Sequence, residues 1–127
     1  MIKVLPIQSK LTQEEICSKC GVKYDADLLA YAVYNEEVLA GVCQFKLTDK
    51  GGVIYDLAPT IDHLDKEALF VMARGALNFI DLCGVHYAIY QGNTDDEALL
   101  VRIGFKKNQD GIFDIDLEGF FTSGHCH

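Results

Sequence analysis

Apolar positions recur with two different periods along this chain, and the period changes at glycine, proline or acidic clusters. Residues 2–7 read as a short strand. Thr12-Gln13-Glu14-Glu15 has the form of a capping box, in which Thr12 accepts from the backbone of Glu15 and the Glu15 side chain reaches back. A short helix is expected from there to Cys20, with Gly21 as its C-cap. Three strands in meander should follow: Leu28–Tyr34, Val38–Leu47 and Val53–Ala58. The turns between them fall at Asn35-Glu36 and at Asp49-Lys50-Gly51-Gly52, and Pro59 ends the third strand.

Residues 62–84 carry the clearest helical pattern. Leu69, Met72, Ala73, Ala76, Ile80 and Cys83 follow helical spacing, while Glu67, Arg74, Asn78 and Asp81 form a narrow polar stripe. A helix with so little polar surface should be buried on most sides, with Asp62 as N-cap and Gly84 as C-cap. Val85–Gln91 is a short strand, and the helical crossover before it is long enough for parallel pairing. Thr94-Asp95-Asp96-Glu97 is a second capping box, opening a helix to Ile103 that Gly104 closes. Phe105–Asn108 and Ile112–Leu117 form a hairpin around Gln109-Asp110-Gly111, and residues 118–127 are a tail without clear periodicity. The fold class is therefore α/β, a mixed sheet in the order β-α-β-β-β-α-β-α-β-β, in one domain spanning residues 1–127.

Charge narrows the partners. The net charge is −8, and an acidic surface repels phosphate backbones, so nucleic acid is not expected as a partner. No apolar run reaches the roughly 18 residues that a membrane span requires, and residues 1–6 are too short and strand-like for a signal peptide. The expected setting is the cytoplasm, with no membrane partner. The five cysteines are odd in number, which argues against a disulfide framework, and Cys43 and Cys83 sit in apolar runs as small buried hydrophobes. Cys17-x-x-Cys20 with His125 and His127 contains enough ligands for zinc. The histidines are two positions apart on a tail, however, so no metal is expected.

Two local patterns carry a resemblance. Tyr55-Asp56-Leu57-Ala58 is followed by Pro59 and the long helix, and Asn93 is followed eleven positions later by Gly104-Phe105. With the element order, these resemble the GNAT (N-acetyltransferase) superfamily over almost the whole chain, to about Leu117. The resemblance implies transfer of an acetyl group from acetyl-CoA to an amine of a small molecule or peptide. It places the acyl-CoA in a gap between the fourth and fifth strands. Its pantetheine would lie along the edge at Leu57 and Ala58, near Asn93, and its diphosphate on the helix start at Leu64, Asp65, Lys66 and Glu67.

The sequence departs from the family there. An Arg/Gln-x-x-Gly-x-Gly/Ala signature usually opens that helix, and the stretch Leu64-Asp65-Lys66-Glu67-Ala68-Leu69 contains no glycine. Asp65 and Glu67 put negative charge where phosphate should sit; they read either as ordinary N-terminal capping or as neighbours of N–H groups still free for an anion. The tyrosine that family enzymes often carry seven positions after the asparagine is Leu100 here, which cannot donate a proton. Tyr90 is the candidate to replace it, against a plain packing role. Asp56 shares a strand face with Ile54 and Ala58, and a carboxylate in such surroundings should have a raised pKa suited to a general base; the alternative is a hydrogen-bonded strand aspartate. The resulting reading is a GNAT-like acyltransferase; the alternatives are a non-catalytic GNAT-fold binding module that has lost acyl-CoA binding and a metal-responsive module using the terminal Cys and His residues.

Overall fold

A computed structural model describes residues 1–123. The chain begins with β1 (Ile2–Pro6), α1 (Lys10–Lys19), β2 (Leu29–Asn35) and β3 (Val38–Thr48). It continues through β4 (Gly51–Ile54), β5 (Ala58–Pro59), α2 (Lys66–Leu82), β6 (Tyr87–Tyr90) and α3 (Glu97–Ile103). β7 (Lys106–Lys107), β8 (Phe113–Asp116) and the short α4 (Phe120–Ser123) close it. The strands form one sheet in the order β1-β2-β3-β4-β6-β8-β7, with β5 pairing β3 off this path. Among the described residues only β4 and β6 pair in parallel, with Gly52 opposite Ala88, Val53 opposite Ile89 and Ile54 opposite Tyr90. No helix among the described residues is long and apolar enough to cross a membrane.

The long helix lies on one face of the sheet and α1 on the other. On α2, Ala68, Leu69, Met72, Ala73, Ala76, Leu77 and Ile80 are buried, and they join Val33, Phe45, Ile54 and Phe105 in the main core. A smaller cluster seats Ile16, Cys17 and Cys20 of α1 against Ala32 and Val42 on the opposite face. The sheet is thus covered on both sides near its centre, which is why β3 reads as a nearly continuous apolar run.

The expected third meander strand is two pieces rather than one. Gly51 and Gly52, read as turn residues, begin β4, because the turn closes within Asp49-Lys50 and Thr48 Oγ1 accepts from Lys50 N. A side chain at Gly52 would meet Ile80 at 2.7 Å and one at Gly51 would meet the Tyr87 carbonyl at 2.8 Å, so these glycines let α2 and β6 approach. At the other end Tyr55 N and Asp56 N both donate to the Gln44 carbonyl (2.8 and 3.4 Å), two residues opposing one as in a β-bulge. The strand resumes at Ala58–Pro59, so Pro59 lies within β5 rather than ending the strand.

Each helix start is also shifted from the expected residue. Ser9, not Thr12, caps α1 by accepting from Thr12 N. Asp65 caps α2 in place of Asp62, and Asp96 caps α3 in place of Thr94. In each case several capping-competent residues lie close together in sequence, and tertiary docking selects among them. Helix α2 ends on Cys83, which is exposed rather than buried, because the apolar stripe has turned to solvent by Leu82. The first hairpin turns at Glu36-Glu37, both with positive φ (51° and 68°), and the Met1 ammonium pairs with Glu36.

Candidate functional site

The bulge at Tyr55 and Asp56 opens the sheet. Up to Ile54 the parallel pair is intact, and Gln91 N still donates to Ile54 O at 2.8 Å. Beyond that the β4 chain leans toward β3 through β5, while the β6 chain continues to Gln91, Gly92 and Asn93. A cleft of about 420 Å³ lies between these diverging ends. Leu57, Ala58, Pro59, Leu69, Leu99 and Leu100 give it apolar walls, and Asp56, Tyr90, Asn93, Asp95 and Asp96 contribute its polar groups. Cys20, Gly21 and Val22, at the end of α1, cover it from the other side. No lysine or arginine among the described residues lines it.

Of the nine residues named as catalytic or cofactor-binding candidates, six meet there: Asp56, Leu57, Ala58, Leu64, Tyr90 and Asn93. Asp65, Lys66 and Glu67 do not line the cleft; they stand at the start of α2 beside it. Leu100 is 2 % exposed and forms part of the wall with hydrocarbon. Cys17 and Cys20 are buried, and burial pushes their thiols up to about 11 and about 12, so both stay protonated at neutral pH. His125 and His127 lie outside the described residues.

Asp56 sits at the apex. Its Oδ2 accepts from Gln44 Nε2 at 2.6 Å. Burial raises its pKa, and the Gln44 hydrogen bond opposes that rise. Asp56 also lines a second pocket, with Lys23, Tyr24, Asp25, Gln44 and Tyr55, so one carboxyl borders both spaces. Gln44 and Gln13 are fully buried polar residues that the sequence reading passed over. The available signal was a glutamine inside the apolar run Val42-Cys43-Gln44-Phe45.

The Tyr90 hydroxyl donates to Asn93 O at 2.6 Å, and burial raises its pKa. This bond draws the chain after β6 back over the ring. A side chain at Gly92 would meet the Tyr90 hydroxyl at 2.6 Å and Tyr55 O at 2.8 Å, so only glycine allows the return. The Asn93 side chain accepts from Asp95 N at 2.7 Å and shapes the loop into α3.

The start of α2 is occupied by the protein's own groups. Asp65 Oδ1 accepts from Ala68 N at 3.0 Å and Oδ2 from Asn35 Nδ2 at 2.8 Å. The Asn35 bond, followed by that from Ala68 N, lowers the Asp65 pKa, so the carboxylate persists at neutral pH. Lys66 pairs with Asp96 at 2.9 Å, tying the starts of α2 and α3 together, and Glu67 pairs with Arg102 at 2.9 Å.

No protein-family model and no curated protein matches the chain. Solved structures do. Ribosomal-protein-S18-alanine N-acetyltransferase from Escherichia coli superposes over 92% of this chain and 94% of its own, with a TM-score of 0.69 at 11% identity. The chain has the GNAT fold. The PaiA N-acetyltransferase from Thermoplasma acidophilum, solved with coenzyme A, gives a TM-score of 0.64 at 13% identity, covering 91% of this chain and 99% of that one. A Bacillus subtilis acetyltransferase, also solved with CoA, gives 0.68 at 14% identity, covering 92% and 99%. The splayed parallel pair belongs to that fold, and since two of these neighbours were solved with CoA, the group to test against the cleft is acyl-CoA. The apolar walls suit a pantetheine arm. The diphosphate end does not fit: the α2 N–H groups that would receive an anion already face Asp65, and the cation next to them is paired with Asp96.

Proposed function

We propose that this chain is a GNAT-fold binding module whose cleft takes a small-molecule or peptide amine and that has lost acyl-CoA binding. The observation that carries the reading is the Asp65 carboxylate bonded to the α2 N-terminus. An ionised group there satisfies the helix dipole and repels a second anion from the same N–H groups. The acidic lining, without lysine or arginine among the described residues, suits a ligand with a positive or hydrogen-donating head and an apolar body. The proposal keeps the chain as one domain over residues 1–127 in the cytoplasm, where the free thiols of Cys17, Cys20, Cys43 and Cys83 are at home.

Titration calorimetry tests it. Wild-type protein should give no heat with acetyl-CoA up to about 1 mM, and Leu64→Arg with Asp65→Gly should introduce binding by adding a cation and removing the blocking carboxylate. Micromolar binding of acetyl-CoA to the wild type would overturn the reading.

A second reading, acetyl transfer from acetyl-CoA to an amine, is favoured by one feature: the position of Asp56 between the cleft and the adjacent pocket. A carboxylate with a raised pKa at such a junction can take a proton from an amine nitrogen. Tyr90 stays protonated, as an acid must, although its proton is directed to Asn93 O. Release of free thiol from acetyl-CoA in the presence of an amine panel, abolished in Asp56→Asn, would establish this reading in place of the first.

A further inference from the structure

The buried polar groups behind Asp56 form a chain with a single direction. Lys10 Nζ donates to Gln13 Oε1 at 3.1 Å, Gln13 Nε2 donates to Gln44 Oε1 at 2.8 Å, and Gln44 Nε2 donates to Asp56 Oδ2 at 2.6 Å. Every bond points its proton toward the carboxyl. The amide orientations are fixed by their other partners. Gln44 Oε1 also accepts from Asp25 N at 3.3 Å, and Gln44 Nε2 also donates to Lys23 O at 2.9 Å. Gln13 Nε2 lies near the carbonyls of Asp25 and Leu28, and Lys10 donates to Leu28 O at 2.7 Å. Rotating either amide by half a turn would set donor against donor or oxygen against carbonyl.

We propose that Gln13 and Gln44 are positioning residues, and that the hydrogen-bond chain from Lys10 through both amides holds the Asp56 carboxyl at the junction of the cleft and the second pocket. The proposal rests on the reading that Asp56 is the polar anchor of the cleft, whether for a bound amine or for proton transfer. Aligned donors polarise one another, so the cationic end at Lys10 strengthens the last bond to Asp56 across the buried amides. The same chain holds the backbone of Lys23, Asp25 and Leu28, which forms the wall of the second pocket. Carboxyl and wall are thereby kept in one register. A hydrophobic pair of the same volume would fill this space with less desolvation cost, yet two glutamines occupy it and no buried side-chain polar atom among the described residues is left without a partner.

The other groups facing Asp56 do not supply this hold. Cys17 from α1, Cys43 from β3 and Tyr90 from β6 all have pKa values raised by burial and stay neutral at pH 7. Lys23, Tyr24, Asp25 and Tyr55 share the second pocket with Asp56, and the Gln44 amide is the group bonded to its carboxyl.

NMR titration of the Asp56 carboxyl carbon in the whole chain tests the proposal. Gln44→Met should raise the Asp56 midpoint by about one pH unit, the tenfold change expected for loss of one charge-assisted hydrogen bond. Gln13→Met, which does not touch Asp56, should raise it by a smaller but measurable few tenths of a unit through the weakened Gln44 bond. A purely structural role for Gln13 would leave the midpoint unmoved. Wild-type protein supplies a readout that needs no variant: the side-chain amide protons of Gln44, and to a lesser degree those of Gln13, should shift with the Asp56 midpoint. Unchanged midpoints in folded variants, or amide protons that ignore Asp56, would overturn the proposal. The titration uses neither ligand nor turnover, so failure of the cleft to bind an amine is a separate result.

Discussion

The two ends of the cleft are built on opposite principles. At the outer end, the start of α2 is satisfied by Asp65, Lys66 is satisfied by Asp96, and Glu67 by Arg102. These groups are largely solvated and they neutralise one another. At the inner end, Asp56 is half-buried with a raised pKa, and two fully buried glutamines are committed to holding it. Solvated pairs are worth little and are easily gained or lost. A buried polar chain is costly unless complete, and it persists where something depends on it. In this chain the start of α2 is closed by self-contained surface pairs, while the polar groups behind the strand bulge form a buried, connected chain. The difference teaches that the outer end is held by exposed ion pairs and the inner end by buried hydrogen bonds.

The comparison breaks most visibly at Gln44. Gln44→Leu should cost about 2–4 kcal/mol, because it strands the Lys23 carbonyl, the Asp25 N–H and a Gln13 donor in a buried space. Chemical denaturation measures it, and a cost below about 1 kcal/mol would mean that water replaces the amide and the inner end is not dry.

Leu100→Tyr comes next. Leu100 is almost fully buried and yet borders the cleft, so the added ring must either enter the open gap or overpack the wall. With a cleft of this volume the ring should extend into the gap and the variant should lose less than about 1 kcal/mol. A loss of 1–3 kcal/mol, roughly the usual overpacking range, would mean that the gap closes in solution.

Asp65→Ala should cost about 1 kcal/mol at neutral pH through loss of the cap. The Asp65 pKa is lowered by folding, so its contribution is fully present above the unfolded value near 4 and disappears as pH falls through the lower folded value. The stability difference between wild type and variant should therefore shrink on acidification below about pH 4. For Asp56 the sign is reversed. Its pKa is raised by folding, so ionisation opposes folding increasingly as pH rises from about 4 toward and past the folded value, and Asp56→Asn should gain on the wild type over that range. Parallel pH–stability curves for both pairs would erase the contrast between the two ends.

The smallest effect belongs to the outermost pair. Lys66→Ala should change stability by less than about 0.5 kcal/mol, since both partners are substantially exposed. A larger loss would show that the starts of α2 and α3 depend on this pair.

The sequence by itself determined the order of elements, the buried long helix and the parallel crossover. These rest on periodicity and on short-range signals: apolar spacing fixes which helix face is buried, and the length of a helical crossover fixes strand direction. The tertiary structure alone decided the rest. Which of Asp62 and Asp65 caps α2 depends on Asn35, thirty positions away in the first hairpin. That Gly51 and Gly52 are strand rather than turn depends on Ile80 and Tyr87 pressing against them. The alliance of Gln13 with Gln44 and Asp56 joins a helix, a strand and a bulge, and no local pattern encodes it, because a glutamine has no positional preference until the groups it must satisfy are brought together by the fold.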